Sequence, residues 1–324
     1  MFAITYRKIF LWVAAVVMVG SALIISTLGL KFGIDFTGGS LTEVSYEVAP
    51  DKTELEADIA EMNLGGLSVR ESDVESGKTA YLIRTRDLSE DERSLLEEKV
   101  TTVGEGGEIT RFTSIGPVIG QELKDKSVWA IGGVAAIIIL YVAFAFSGIG
   151  TPVSSWTYGA ITILVLMHDV LVPTALMSIL GYVAGIEVDV LFVMALLAVL
   201  GYSVNDTIVV FDRVRENLTQ NRTEKRTKRE EAGVVHEQVT YTLTKPYDEI
   251  VGSAVQETLA RSINTSMTTL VALIALYVLG GSVTQTFALV LIAGVVAGTY
   301  SSICIASPLV VAYADRLAKK TNKN

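Results

Sequence analysis

Apolar residues along the chain gather into long unbroken runs, and only two of the polar segments between them are extensive. Ile9–Leu30, Val128–Phe146, Trp156–Tyr182, Val188–Phe211 and Val283–Tyr313 each approach or exceed the roughly 20 residues that a helix needs to cross a hydrocarbon core. Ser266–Leu279 is shorter and is expected to extend back through Ser262-Ile263-Asn264-Thr265. Gly280-Gly281 then joins it to the last run in a tight turn, where glycines at positive φ are expected. The pattern predicts an α-helical membrane protein with six transmembrane helices. The first run follows Arg7-Lys8, is longer than the apolar part of a signal peptide and closes on no small-residue cleavage site, so residues 1–30 are read as an uncleaved first span.

The first long polar segment, residues 31–127, has its own periodicities. Leu41–Val48 alternates like a strand, Thr53–Met62 has helical spacing, and Leu67–Val74 and Lys78–Thr85 read as strands. Ser89–Val100 opens with Ser89 as N-cap and Glu92 three residues on, a capping box, and Glu108–Ile115 is a last strand. The order βαββαβ predicts a small α+β ferredoxin-like domain. Residues 128–211 carry spans two to four. The second long polar segment, residues 212–261, intersperses Arg222, Lys225, Arg226, Lys228 and Arg229 with acids; a helical extension of span four followed by a partly flexible connection is expected. Residues 262–313 hold spans five and six, and 314–324 a short tail.

Composition agrees with this layout. Half of the 324 residues are hydrophobic and only 19% are charged, against about a quarter in soluble proteins. Positive charge flanks the spans on one side: Arg7 and Lys8, then Arg213 and Arg215, then Arg316, Lys319, Lys320 and Lys323. The positive-inside rule therefore predicts a multi-pass membrane protein with both termini and the 212–261 loop cytoplasmic and 31–127 outside; Lys124 and Lys126 fall on the opposite side. The net charge of −9 resides mostly between Lys31 and Ser127, as in Ser89-Glu90-Asp91-Glu92. With no basic patch, a nucleic-acid partner is not expected, and membrane lipid is the surrounding medium. The single cysteine, Cys304, excludes an intrachain disulfide and reads as a small buried hydrophobe. No nucleophile–base–acid set, P-loop or metal-ligand cluster appears, and the two histidines form no HExxH, so neither enzymatic activity nor a cofactor is expected.

Candidate chemistry lies where polar residues are costly. A carboxylate at the bilayer centre costs about 2.5–3.5 kcal/mol on insertion scales. Asp169, beside His168 in span three, and Asp206, within Gly201-Tyr202-Ser203-Val204-Asn205-Asp206-Thr207 in span four, both incur it. Protonating an ordinary aspartate at pH 7 costs about 4 kcal/mol, comparable with burying it charged. Small changes of surroundings therefore switch the group, and a membrane potential contributes about 2.3 kcal/mol per charge per 100 mV. Asp206 is thus a candidate proton carrier; the plainer reading is that Ser203, Asn205 or Thr207 satisfies it and it only pins helices. Asp169 is either a second relay group or a tether, and His168 either titrates with it or makes a structural hydrogen bond. Arg261, at the start of span five, either tunes Asp206 or snorkels to the interface. Gly294-x-x-x-Gly298 in span six is a close-packing pattern.

These residues carry a resemblance. Gly33-Ile34-Asp35-Phe36-Thr37-Gly38-Gly39-Ser40 resembles the GxDFxGG motif of the SecD/SecF protein-export family, a branch of the RND superfamily. Ser114–Leu123 is similar to that family's approach to the second span, and His168-Asp169-Val170 to its third-span motif. Gly201–Asn217 is the most specific likeness, its Tyr-Ser-Val-Asn-Asp-Thr core being of the SecF type, and Arg261–Thr269 resembles the fifth-span start. The resemblance implies a six-span RND-like half bundle that pairs with SecD beside the SecYEG channel and uses the proton motive force to help export unfolded preproteins. It implies Asp206 as the proton-relay aspartate, Arg261 as its tuning arginine and Asp169 as a supporting group. The family's motif after the first span falls on Asp35, Phe36, Gly38 and Gly39. The alternative from another class is a self-sufficient RND-like exporter of small hydrophobic molecules, which usually carries two such halves. Thr219–Ile250 departs from the family pattern in being longer and more charged.

Overall fold

The computed structural model describes residues 2–73, 79–145, 152–231 and 234–321. After one turn of helix, α1 (Phe2–Thr5), α2 (Arg7–Leu28) forms the first span. A short α3 (Ile34–Thr37) leads into β1 (Gly39–Tyr46), α4 (Lys52–Ala60), β2 (Ser68–Asp73), β3 (Thr79–Thr85), α5 (Glu90–Val103) and β4 (Glu108–Ile115). The chain then re-enters the bundle through α6 (Pro117–Ala145), α7 (Ser155–Ala184) and α8 (Val190–Gln220). A hairpin of β5 (Arg222–Glu231) and β6 (Val234–Leu243) precedes α9 (Tyr247–Leu279), α10 (Ser282–Ser301), a π turn (Ser302–Ala306) and α11 (Ser307–Thr321). Among the described residues six helical stretches are long and apolar enough to span a membrane, the sixth running from α10 into α11. Val74, Lys78 and Phe146, at the ends of expected elements, lie outside the described residues.

Burial sorts the spans. The α7, α8 and α10–α11 helices form the centre, whereas α2, α6 and α9 leave most of their apolar side chains on the outside. Such a rim is stable only against hydrocarbon, where each helix satisfies its own backbone. Trp12, Trp129 and Trp156 all stand on that rim, exposed by 73%, 81% and 72%. At about 46 Å, α8 is longer than a hydrocarbon core of about 30 Å. Its far end stays packed in the helical core through Val214 and Leu218 and is tied to α9 by Arg213, whose guanidinium pairs with Glu257 of α9 and with Glu216 of its own helix. Arg7 pairs with Asp315 at 3.0 Å, which holds the first and last helices together at that same end.

The sheet domain has the strand order β2-β3-β1-β4, antiparallel throughout, the ferredoxin-like arrangement. The α4 and α5 helices cover one face, where Val44, Tyr46, Leu55, Ile59, Ile83, Leu96 and Val100 make a closed apolar core. Tyr46 donates to the Val100 carbonyl at 2.6 Å, so its hydroxyl is satisfied inside that core. The capping box at α5 forms as expected: Ser89 accepts from the Glu92 amide and Glu92 from the Ser89 amide.

Two expectations are corrected. The stretch expected as a partly flexible connection is a regular antiparallel hairpin, Arg222 pairing with Leu243 through to Glu231 with Val234. The Gly280-Gly281 turn uses no positive φ, the values being −88° and −67°. Glycine is needed at 280 for another reason: a Cβ there would collide with the Leu276 carbonyl and the Thr284 side chain.

One pH effect follows from the capping box. Hydrogen bonds from Arg86 and then from Ser89 hold the Glu92 carboxyl below its ordinary 4.5, at about 2. A depressed carboxyl contributes stability that is full above the ordinary value and is lost as pH falls toward the folded one. Amide protection of α5 in the whole chain is expected to decline between pH 4.5 and about 2. Glu92→Gln should remove that pH dependence, as read by hydrogen exchange.

Candidate functional site

Close helix contact assembles the polar residues of the membrane segment. On α10, Gly294 and Gly298 face Val199 and Ser203 of α8, and a Cβ on Gly298 would sit 3.1 Å from that of Ser203. Small residues let the two backbones approach, as the Gly-x-x-x-Gly pattern requires. That approach brings Ser301, at the end of α10, and Ser203, on α8, to the same carboxylate on α7.

The carboxylate is Asp169, which is fully buried. Ser301 donates to its Oδ2 at 2.7 Å, Ser203 donates to the same oxygen, and His168 Nδ1 lies 2.7 Å from Oδ1. Both oxygens are engaged, and three helices meet on one side chain. The π turn that follows Ser301 adds a residue to the helix at this point, and such bulges recur at functional positions.

Asp206, on α8, is also buried, but it is not satisfied in the same way. Its Oδ2 has no hydrogen-bond partner among the described residues, nor does the Ser262 hydroxyl of α9, which faces it. Ser203 turns to Asp169, Thr207 donates back to the Ser203 carbonyl at 3.2 Å, and Asn205 is exposed. None of the three neighbours weighed in the sequence satisfies Asp206. Arg261 lies close enough for its charge to reach Asp206 while itself standing on the outer face of α9.

That outer face is unusual for a membrane helix. Arg261, Asn264, Thr265 and Thr268 are all exposed at the spacing i, i+3, i+4, i+7, and Gly201 and Asn205 of the adjoining α8 are exposed as well. Thr265 and Thr268 donate to backbone carbonyls of their own helix at 2.9 and 2.8 Å. Tyr202 and Thr299 both donate to Ser266, at 3.2 and 2.6 Å, and so join α8, α9 and α10 just inside the stripe.

The motif after the first span lies at the opposite end of α8 from Arg213. Asp35 Oδ2 accepts the Val190 amide at 2.9 Å, which caps α8 in addition to Asp189. Phe36 is buried with Met177, Val188 and Phe192. Gly38 and Gly39 adopt φ of +73° and +122°, and a Cβ on them would stand 2.7 Å from Pro117 and 2.5 Å from the Thr85 carbonyl. Only glycine fits both the backbone and the space.

Ser262, Ser301, Arg84 and Glu187 were not singled out from the sequence. Both Ser262 and Ser301 are polar residues inside predicted spans, but only packing aims Ser301 at Asp169.

Residues 95–234 and 232–316 match the family model described as protein export membrane protein SecD/SecF, C-terminal, and residues 23–49 match the SecD/SecF GG motif. The protein translocase subunit SecF of Sebaldella termitidis is 34% identical over 318 residues, covering 98% of this chain and 92% of that protein. The SecF of Thermobaculum terrenum is likewise 34% identical, over 97% of this chain and 94% of its own length. The crystal structure of SecDF from Thermus thermophilus, described as a translocon-associated membrane protein, superposes with a TM-score of 0.79 at 30% identity. That match covers 96% of this chain and 38% of the longer one.

The two aspartates should respond oppositely to neutralisation. Asp169→Asn, or Ser301→Ala, should lower stability by about 1–3 kcal/mol through lost hydrogen bonds to a buried carboxylate. Asp206→Asn should leave stability unchanged or raise it, since no bond to Oδ2 is lost. Thermal unfolding in detergent distinguishes them; a larger loss for Asp206→Asn than for Asp169→Asn would show the contrast to be wrong.

Proposed function

The chain belongs to the SecD/SecF family of protein-export membrane proteins, and we propose that it is the SecF-type subunit of a proton-driven pair. With SecD, in the bacterial cytoplasmic membrane, it assists unfolded preproteins through the SecYEG channel. The observation that carries this reading is Asp206, a buried carboxylate in a membrane helix with one oxygen unpartnered.

A carboxylate with one oxygen unmatched has fewer hydrogen bonds to favour the anion, which brings its charged and neutral forms closer in free energy. Asp169, held by Ser203, Ser301 and His168, is a positioning group that keeps α7, α8 and α10 in register around Asp206. Arg261 favours the ionised form when near and releases it when drawn away. The membrane potential then biases proton entry from one side.

The exposed stripe of Arg261, Asn264, Thr265 and Thr268 supports the pairing with SecD. Polar side chains on the rim of a bundle are unfavourable against lipid and favourable against another helix that offers hydrogen bonds. The names of the relatives favour the translocase subunit over a self-sufficient exporter. The basic flanks support cytoplasmic termini, with the sheet domain on the exported side.

Asp206→Asn is expected to abolish the part of preprotein export in membrane vesicles that responds to the proton motive force, while membrane insertion and co-purification with SecD persist. Undiminished stimulation in that variant would remove Asp206 from the mechanism. Arg261→Ala should also lose the proton response. Cysteines at Asn264 and Thr268 should cross-link to SecD in native membranes, and cross-links to lipid-facing controls alone would argue against the stripe as the partner surface.

A further inference from the structure

We propose that Asp35, Arg84 and Glu187 form a clamp between the sheet domain and the outer end of α8, which carries a change at Asp206 to that domain. This rests on the reading of Asp206 as the group whose protonation changes.

The mechanical element is α8 itself, one continuous helix from Val190. Asp206 lies sixteen residues on, about 24 Å along the axis. A shift or rotation of α8 at Asp206 is therefore felt at its first turn. That first turn is held from outside the bundle: Asp35 accepts the Val190 amide at 2.9 Å. The backbones on either side are stitched together, Gly33 donating to the Val188 carbonyl at 2.9 Å and Val188 to that of Lys31 at 2.8 Å. Asp35 precedes β1 by only a few residues, so the cap on α8 is an extension of the domain.

Arg84 closes the connection. It projects from β3, on the sheet face opposite α4 and α5, and donates to the Phe32 carbonyl at 3.1 Å, to Thr37 Oγ1 at 2.7 Å and to Glu187. Glu187 lies two residues before the N-cap of α8. One guanidinium thus joins the sheet, the motif segment and the loop that leads into α8. A planar fork of donors is directional and transmits rotation, whereas an apolar face would slide.

The surroundings offer a second arrangement. Between the sheet and this loop is a cavity of about 190 Å³, lined among others by Arg70, Arg84, Arg111 and Glu187. Arg70, on β2, lies near enough for the Glu187 charge to act on it, yet makes no ion pair within 4.0 Å among the described residues, where Glu187 pairs with Arg84. Glu187 bonded to Arg84 is one state; Glu187 transferred to Arg70, with the sheet tilted over α8, is the other. Coupling between distant sites requires such a two-state element.

The test is hydrogen exchange of the full chain in lipid nanodiscs, followed by mass spectrometry of the segments containing 31–37 and 186–192. Asp206→Asn, which fixes the neutral form, should change exchange at the Val188 and Val190 amides by about tenfold. In Glu187→Gln or Arg70→Gln backgrounds that change should disappear from the outer segments and persist around residue 206. Arg84→Lys, which keeps the charge but loses the fork, should weaken it and serves if a neutralised variant fails to fold. No change at the outer segments, or one that survives loss of Glu187, overturns the clamp. Export assays on Asp206→Asn separate the two claims. Loss of the proton response with silent outer segments overturns the clamp alone; an intact response with responsive outer segments overturns the proton role and leaves the mechanical link.

Discussion

Hydrocarbon offers no hydrogen-bond partner, and most features of this chain follow from where its polar groups find one. Backbone groups find theirs within long helices, so the spans are helical and their connections lie outside. Asp169 finds three polar partners and draws α7, α8 and α10 onto a single point. Asp206, a turn of helix away from one of those partners, leaves an oxygen unmatched. The difference between the two aspartates is one of packing, since both are buried and both lie inside spans. Where a group is matched it fixes geometry; where it is not, it contributes no such anchor.

The elements most readable from the sequence were those with strong periodicity. Six apolar runs, the βαββαβ order and the Ser89–Glu92 capping box all depend on local pattern, and local pattern survives into the fold. The β5–β6 hairpin did not announce itself, because charges in Arg222–Glu231 fall on both alternating sets of positions and erase the period of two. The Gly280 turn was anticipated for its glycines but misread in its geometry, since the demand for space comes from Leu276 and Thr284 rather than from φ. Ser203 is the instructive residue of the candidate site. Its spacing of three from Asp206 suggested a partner on the same helix, while the approach of α10 turns it to Asp169 instead. Contacts such as Ser301 to Asp169, more than a hundred residues apart, have no local trace at all.

The GG motif takes on a concrete meaning in the same terms. Gly38 and Gly39 are needed because backbone from Pro117 and Thr85 fills the space a side chain would occupy, and Asp35 because α8 has an amide to cap. Both constraints act where the sheet domain meets the bundle. The domain rests on the membrane part through the apolar cluster around Phe36 and through directional polar bonds beside a small cavity. Directional bonds of that kind give the junction a defined orientation.

The Arg7–Asp315 pair has a consequence for assembly. It brings the start of the first span and the end of the last to the same end of the bundle, side by side. A peptide linker joining this chain to a neighbouring half bundle whose own end lies on that face would never have to cross the bilayer. Such tethering replaces a two-dimensional search by an intramolecular encounter at an effective concentration in the millimolar range for a short flexible linker. Separate chains must achieve the same proximity through affinity alone.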